Sequence, residues 1–240
     1  MPTRHRIQVT DTESIAAVHH SAPSDRWLVF CHGFLSDKSG SYERRARRAV
    51  DEGFNAVRFD FRGCGESDEA FADQSLSTKL DDLAAVGDSF DPASLVLFGS
   101  SFGGKVAFHA AADDRIDPIA IATRAPVTAN AAFDEYRSIV DTEGRCRFDD
   151  DRWIDRRFFE DLAAHPFEAV CAAVVDVPVA IFHGRADDVV PIEHSFEAAS
   201  SLGTDVVLEV SAAEGHIFSA AGNERVLDRL FDWLATLDRL

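Results

Sequence analysis

Lysine is nearly missing from this chain: Lys38, Lys79 and Lys105 stand against 21 arginines, and the 42 acidic residues leave a net charge of −18. A surface this poor in positive charge disfavours nucleic acid or an anionic membrane as a partner. Nowhere do 18 consecutive apolar residues occur, so no transmembrane helix is expected. The opening MPTRHRIQVTDTE lacks the apolar stretch of a secretory signal, which makes a cytoplasmic location the expectation. The four cysteines, Cys31, Cys64, Cys146 and Cys171, form no C-x-x-C pair and have no histidine at ligand spacing. That spacing excludes a zinc motif and argues for free thiols rather than a disulfide framework. Repeats, low-complexity segments and Pro/Ser-rich linkers are also lacking, so residues 1–240 read as a single domain.

Aspartate is twice as frequent as glutamate, and clusters such as Asp149-Asp150-Asp151 read as solvated surface. Acidity of this texture is expected of a protein adapted to a salt-rich cytoplasm, where screening limits self-repulsion.

Short β-type runs alternate with helical stretches, the pattern of an α/β fold with a mostly parallel central sheet flanked by helices. IQV (7–9) and SIAAVHH (14–20) suit an opening hairpin. WLVFCHGF, NAVRFDF, SLVLF, PIAIATRAP, VPVAIFHG and TDVVLEV read as strands, with helices expected near 41–52, 77–90 and 223–238. Residues 127–176 break the rhythm. They hold no clear strand, and their polar helical segments carry Trp153, Phe158, Phe159 and Phe167. An insertion of this length exceeds a plain loop and predicts a small helical cap over the carboxyl edge of the sheet.

The most informative segment is LVLFGSSFGG (95–104), an apolar strand ending in G-x-S-x-G and followed by the helical KVAFHAAA. This order describes a nucleophile elbow, a tight strand-to-helix turn that holds one serine exposed. The serine flanked at ±2 by glycine is Ser101, and Ser100 should point elsewhere. A serine hydroxyl needs a base to take its proton, and the base needs a third group to orient it. In this architecture the chain order is serine, acid, histidine. HGRADDVVP places Asp187 just after a strand, and EGH places His216 in the loop after the last strand. Asp188 adjoins the acid, but the motif spacing favours Asp187. Of the nine histidines only His216 has both the order and the strand-end position; His32 and His183, directly before glycines, suit loop bracing. Donors for a developing oxyanion are expected from the backbone N–H of Phe102, after the serine, and of Phe34, in the loop after WLVFCHGF.

With HGF, RFDFRGCGESD, GSSFGG, HGRADDVVP and EGH in this order, the chain resembles α/β-hydrolase superfamily serine hydrolases, over nearly its whole length from residue 27. It is similar to small-capped cinnamoyl/feruloyl esterase-like, acyl-protein thioesterase-like and serine aminopeptidase-like members. The resemblance implies Ser101, Asp187 and His216 as nucleophile, acid and base, and Phe34 and Phe102 as oxyanion donors. One departure is Ser100, where many relatives carry histidine.

These readings predict a serine hydrolase that cleaves a small-molecule carboxylic ester or thioester through an acyl-enzyme, with no metal or organic cofactor. Its base must be neutral, so activity should rise through the ordinary range of imidazole titration, roughly pH 6–7. Two alternatives use the same fold: a peptidase or amidase of the serine aminopeptidase-like type, and a catalytically idle ligand-binding protein. An intact Ser-Asp-His set argues against the second. Dehalogenase or epoxide-hydrolase chemistry would want an acidic nucleophile, which serine at 101 excludes.

Overall fold

The computed structural model describes residues 1–238, so the last two positions of the expected 1–240 unit lie outside the described residues. In chain order the elements are β1 (Thr3–Gln8), β2 (Ser14–His20), β3 (Arg26–Cys31), α1 (Ser41–Asp51), β4 (Asn55–Phe59), α2 (Leu76–Phe90), β5 (Ser94–Ser100) and α3 (Phe102–Ala110). There follow β6 (Pro118–Arg124), α4 (Asp134–Glu143), β7 (Cys146–Arg147), β8 (Trp153–Ile154), α5 (Arg156–Ala163) and α6 (Phe167–Ala173). The chain continues with β9 (Val179–Gly184), α7 (Glu193–Ser201), β10 (Val206–Ser211) and α8 (Ala220–Leu234). Eight strands form one sheet in the order β1-β2-β4-β3-β5-β6-β9-β10. The β1–β2 and β2–β4 pairs are antiparallel and all others parallel.

Side chains of successive residues on a strand point to opposite faces, and here both faces are covered. Val29, Val57, Leu95, Leu97, Ile121 and Ile181 pack on one side with α2 and α3. Leu28, Phe30, Val96, Phe98, Ala122 and Phe182 pack on the other with α1 and α8. Strands buried on both faces explain why these segments read as continuous apolar runs.

Two details depart from the sequence expectation. Segment 127–176 contains a small antiparallel pair, β7–β8, too short to leave a periodic signal. The last helix starts at Ala220 rather than 223, because the Ser219 hydroxyl accepts the Gly222 N–H and caps it. Within 127–176, Phe133, Phe158, Phe159, Leu162 and Val170 are buried in the same cluster as α2 and α3. Asp161 ties the segment to the start of α2 through the Leu76 N–H and the Ser77 hydroxyl, at 2.7 and 2.5 Å.

Candidate active site

The turn between β5 and α3 is where the local chemistry is tightest. Ser101 has φ 55° and ψ −120°, a conformation that costs a non-glycine residue about 1–3 kcal/mol. A Cβ on Gly99 would lie 2.2 Å from the Gly103 carbonyl oxygen, and one on Gly103 would lie 2.2 Å from that of Cys31. Glycine at both positions therefore lets α3 press against the ends of β5 and β3. Ser100 is buried, and its hydroxyl accepts from Arg45 at 3.2 Å rather than bonding to His216.

The sequence-predicted Ser101, His216 and Asp187 are brought together from three loops at the carboxyl edge. His216 Nε2 lies 3.1 Å from Ser101 Oγ, and Nδ1 lies 2.8 Å from Asp187 Oδ2. A carboxylate only accepts, so Nδ1 carries the proton and Nε2 accepts from the serine hydroxyl. Asp187 is fully engaged: its Oδ1 accepts the Val189 and Val190 N–H groups at 2.9 and 2.8 Å. Its Oδ2 lies 3.1 Å from His183 Nε2 as well. Burial alone would raise this carboxyl, but the hydrogen bonds from His183, His216 and the two amides outweigh it and hold Asp187 well below the usual carboxylate range. Asp188 is exposed at the rim of the cavity.

His183 is the partner that sequence reasoning left as a loop brace. It is fully buried, with Nδ1 2.7 Å from Ser195 Oγ and Nε2 3.0 Å from the Val190 carbonyl. Two acceptors at Nε2 require the proton there, which leaves Nδ1 to accept from the Ser195 hydroxyl. Its position four residues before Asp187 was a signal available in the sequence. His32 braces the other loop: Nδ1 donates to the Gly33 carbonyl at 2.8 Å and Nε2 accepts the Phe61 N–H at 3.1 Å.

Burial lowers His32 to about 3, and likewise His109 on α3, where repulsion from the Lys105 charge adds to the effect of burial. The fold therefore holds both rings neutral while the unfolded chain protonates them near pH 6.5. Stability is complete above pH 6.5 and is lost as pH falls toward 3, by up to about 1.4 kcal/mol per pH unit for each ring. The urea midpoint should accordingly drop steadily between pH 6.5 and 4. A flat profile across that interval would contradict the assignment.

The Phe34 loop closes over the serine. A Cβ on Gly33 would sit 3.4 Å from Ser101 Cβ. Among the described residues neither the Phe34 nor the Phe102 N–H is taken up by another acceptor, as a pair of oxyanion donors requires. The Phe34 ring packs against those of Phe71, Phe102, Phe133, Phe148 and Phe158 with centroids 5.2–5.6 Å apart. Above Ser101 and His216 lies a cavity of about 850 Å³. Phe34, Val127, Phe133 and Val190 give it an apolar wall, and Ala132, Phe133, Glu135 and Tyr136 of the 127–176 segment form one side. Among the described residues no group of three His, Cys, Asp or Glu side chains could hold a metal ion, and no helix is long and apolar enough to cross a membrane.

A strained serine turn on a doubly covered parallel sheet, with acid and histidine on later strand-end loops, is the architecture of an α/β hydrolase. The chain belongs to the alpha/beta hydrolase family, whose sequence profile matches residues 28–232. It is similar to the human mitochondrial palmitoyl-protein thioesterase ABHD10, 26% identical over 231 residues that span 88% of this chain and 74% of that protein. Among solved structures it shares its fold with mouse alpha/beta hydrolase domain-containing protein 10. That match has TM-score 0.85 and 20% identity, over 98% of this chain and 100% of the mouse chain. Est1E from Butyrivibrio proteoclasticus, solved with ferulic acid bound, matches at TM-score 0.80 and 20% identity over 97% and 100% of the two chains.

Proposed function

We propose that this α/β hydrolase is a serine hydrolase cleaving carboxylic ester or thioester bonds of small molecules through an acyl-enzyme. The observation that carries the reading is the unbroken hydrogen-bonded chain Ser101–His216–Asp187 at the floor of the cavity. Ser101 Oγ bonds to the substrate carbonyl carbon while its proton passes to His216 Nε2. The oxyanion that forms is met by the N–H groups of Phe34 and Phe102. His216 then returns the proton to the departing alkoxide or thiolate as the carbon–oxygen or carbon–sulfur bond breaks. Water repeats the sequence on the acyl-enzyme, giving its proton to His216 and releasing the acid as Ser101 is reprotonated. Asp187 keeps the imidazole in the required tautomer and offsets its charge in the transition state.

Residues 127–176 act as a cap in this reading: Ala132, Phe133 and Tyr136 supply one wall of the acyl pocket. The human relative's name as a thioesterase favours thioesters among the substrates. Hydrolysis of 4-nitrophenyl butyrate and of a butyryl thioester, with little or no cleavage of aminoacyl anilides, is the expected result. Anilide cleavage outpacing both would turn the assignment to a peptidase.

The four cysteines are free thiols, which supports a reducing compartment such as the cytoplasm. All three lysines are buried, at 7%, 2% and 0% exposure, so arginine supplies the cationic side chains of the outer surface among the described residues. Self-repulsion of a net −18 charge weakens as added salt shortens the screening length from about 10 Å at 0.1 M to about 3 Å at 1 M. The thermal midpoint and the activity are thus expected to rise with molar KCl. Full stability and turnover in dilute buffer would remove the salt-adaptation reading.

A further inference from the structure

Two guanidinium groups converge beside Ser101 without a carboxylate to neutralise them. Arg45, on α1, is 2% exposed; it donates to Ser100 Oγ at 3.2 Å and to Asn223 Oδ1 at 2.9 Å. Arg124, the last residue of β6, donates to the same Asn223 oxygen at 3.2 Å. The Asn223 amide cannot turn away, because its Nδ2 donates to the Phe218 and Ser219 carbonyls at 2.8 and 3.0 Å. The guanidinium of Arg45 lies over the Tyr42 ring at 4.7 Å and that of Arg124 over the Phe218 ring at 5.4 Å. Arg124 Nε is buried and, among the described residues, has no hydrogen-bond partner.

A buried charge is ordinarily paired, since an uncompensated one costs several kcal/mol. The equally buried Arg62 obeys this rule, with Asp82 at 2.6 Å and Glu13 at 2.8 Å. Neither Arg45 nor Arg124 has an acidic group within 4.0 Å among the described residues. The acid whose field reaches Arg124 is Asp187, already committed to His183 and His216. Burial lowers Arg45 to about 10, the neighbouring Arg124 charge works in the same direction, and burial lowers Arg124 as well; a guanidinium nonetheless stays protonated at neutral pH.

This cationic spot opens into the cavity that holds the candidate nucleophile: Arg124, Asn223, Ser100, Tyr42 and Phe218 line it together with Ser101. The Arg124 carbonyl accepts the Ser101 N–H at 3.0 Å, so the two residues are anchored to one another. The cavity's carboxylates, Glu135 and Asp188, are exposed at its mouth, where solvent screens them. A purely structural clamp between α1, α8 and the elbow would be served by one cation and the amide. Two cations that converge on one amide oxygen, with Arg124 in the lining of the cavity beside Ser101, fit an incoming oxyanion.

We propose that Arg124, backed by Arg45 and Asn223, is an anion-binding subsite, and that the preferred substrates are esters or thioesters bearing a compact carboxylate or phosphate group. The proposal rests on Ser101 as nucleophile and adds the substrate class. The anion has two possible sources, the acyl part or the leaving group.

Two matched pairs of esters separate these sources, each pair comparing a carboxylate with its neutral carboxamide at constant ionic strength. Mono-4-nitrophenyl glutarate against the 4-nitrophenyl ester of glutaric monoamide places the charge on the acyl side. 4-Carboxyphenyl butyrate against 4-carbamoylphenyl butyrate places it on the leaving group. In one pair the wild-type carboxylate-to-carboxamide ratio of kcat/KM is expected to exceed about 10, the scale of a charge-assisted hydrogen bond. That ratio should fall about tenfold or more in Arg124→Gln and recover in part in Arg124→Lys. The pair that responds names the source. Ratios near or below one in both pairs, or a ratio unmoved by Arg124→Gln, overturn the subsite.

Should Arg124→Gln fail to fold, inorganic phosphate decides. It should inhibit wild-type hydrolysis of 4-nitrophenyl butyrate competitively at millimolar concentration, and no inhibition by about 50 mM rejects the proposal. If no ester is turned over at all, the nucleophile assignment has failed. Phosphate-induced thermal stabilisation of wild type, weakened but not abolished in Arg124→Lys, then tests the anion site by itself, and no stabilisation of wild type rejects it.

Discussion

Ser101→Ala is expected to lower kcat by roughly 10⁴- to 10⁶-fold while the far-ultraviolet spectrum and the urea midpoint stay near wild type. The magnitude follows from removing the proposed nucleophile of a unit whose members would act together. The fold survives because Ser101 Oγ has His216 as its partner and carries no packing load. A companion substitution separates catalytic loss from structural damage. At φ 55° and ψ −120°, glycine removes the strain of about 1–3 kcal/mol that both serine and alanine bear. Its greater freedom in the unfolded chain takes back about 0.5–1 kcal/mol. Ser101→Gly should therefore be as inactive as Ser101→Ala yet more stable than it by about 1 kcal/mol, a rise of about 2–4 °C in Tm for a chain of this size. Near wild-type turnover in either variant, with loss in Ser100→Ala, would shift the elbow by one residue.

Asp187→Asn should be nearly as damaging, for a reason the hydrogen bonds make specific. One carboxylate oxygen accepts the Val189 and Val190 amides, and the other accepts His183 and His216. An asparagine must turn its NH₂ toward one of these donor pairs. Facing the amides, it opposes the Val189 and Val190 N–H groups with donors and leaves them without their acceptor. Facing the imidazoles, it forces His216 into the tautomer that presents N–H to Ser101. A fall in kcat of about 10³- to 10⁴-fold is expected, with a loss of stability of about 2–4 kcal/mol. Asp188→Asn, at an exposed carboxylate with no bond to His216, should show a far smaller loss. A larger effect from Asp188 than from Asp187 would reassign the acid.

Much of this arrangement was legible in the chain because it is written locally. The G-x-S-x-G turn declares itself by the glycines that the Gly103–Cys31 approach demands, within five residues of the serine. The parallel strands announce themselves by being apolar on both faces, as Leu95–Phe98 illustrates. Asp187 and His216 follow from chain order and from their places just after β9 and β10. What stayed hidden depends on distant pairings. Nothing near Arg45 in sequence signals that it meets Asn223, 178 residues away, or that Arg124 shares the same oxygen. Two-residue strands such as β7 and β8 are too brief for an alternation to register. The hold of His183 on Asp187 was half visible, at four residues' spacing, but a histidine before glycine reads as a brace until its Nε2 is seen facing the carboxylate.

The most direct measurement is covalent labelling with a fluorophosphonate followed by peptide mass spectrometry. A single adduct on Ser101 is expected, formed at full rate in Ser100→Ala, lost in Ser101→Ala and strongly slowed in His216→Ala. Adduct on Ser100, or none on folded wild-type protein, would contradict the claim that the hydroxyl at 101 is the activated nucleophile.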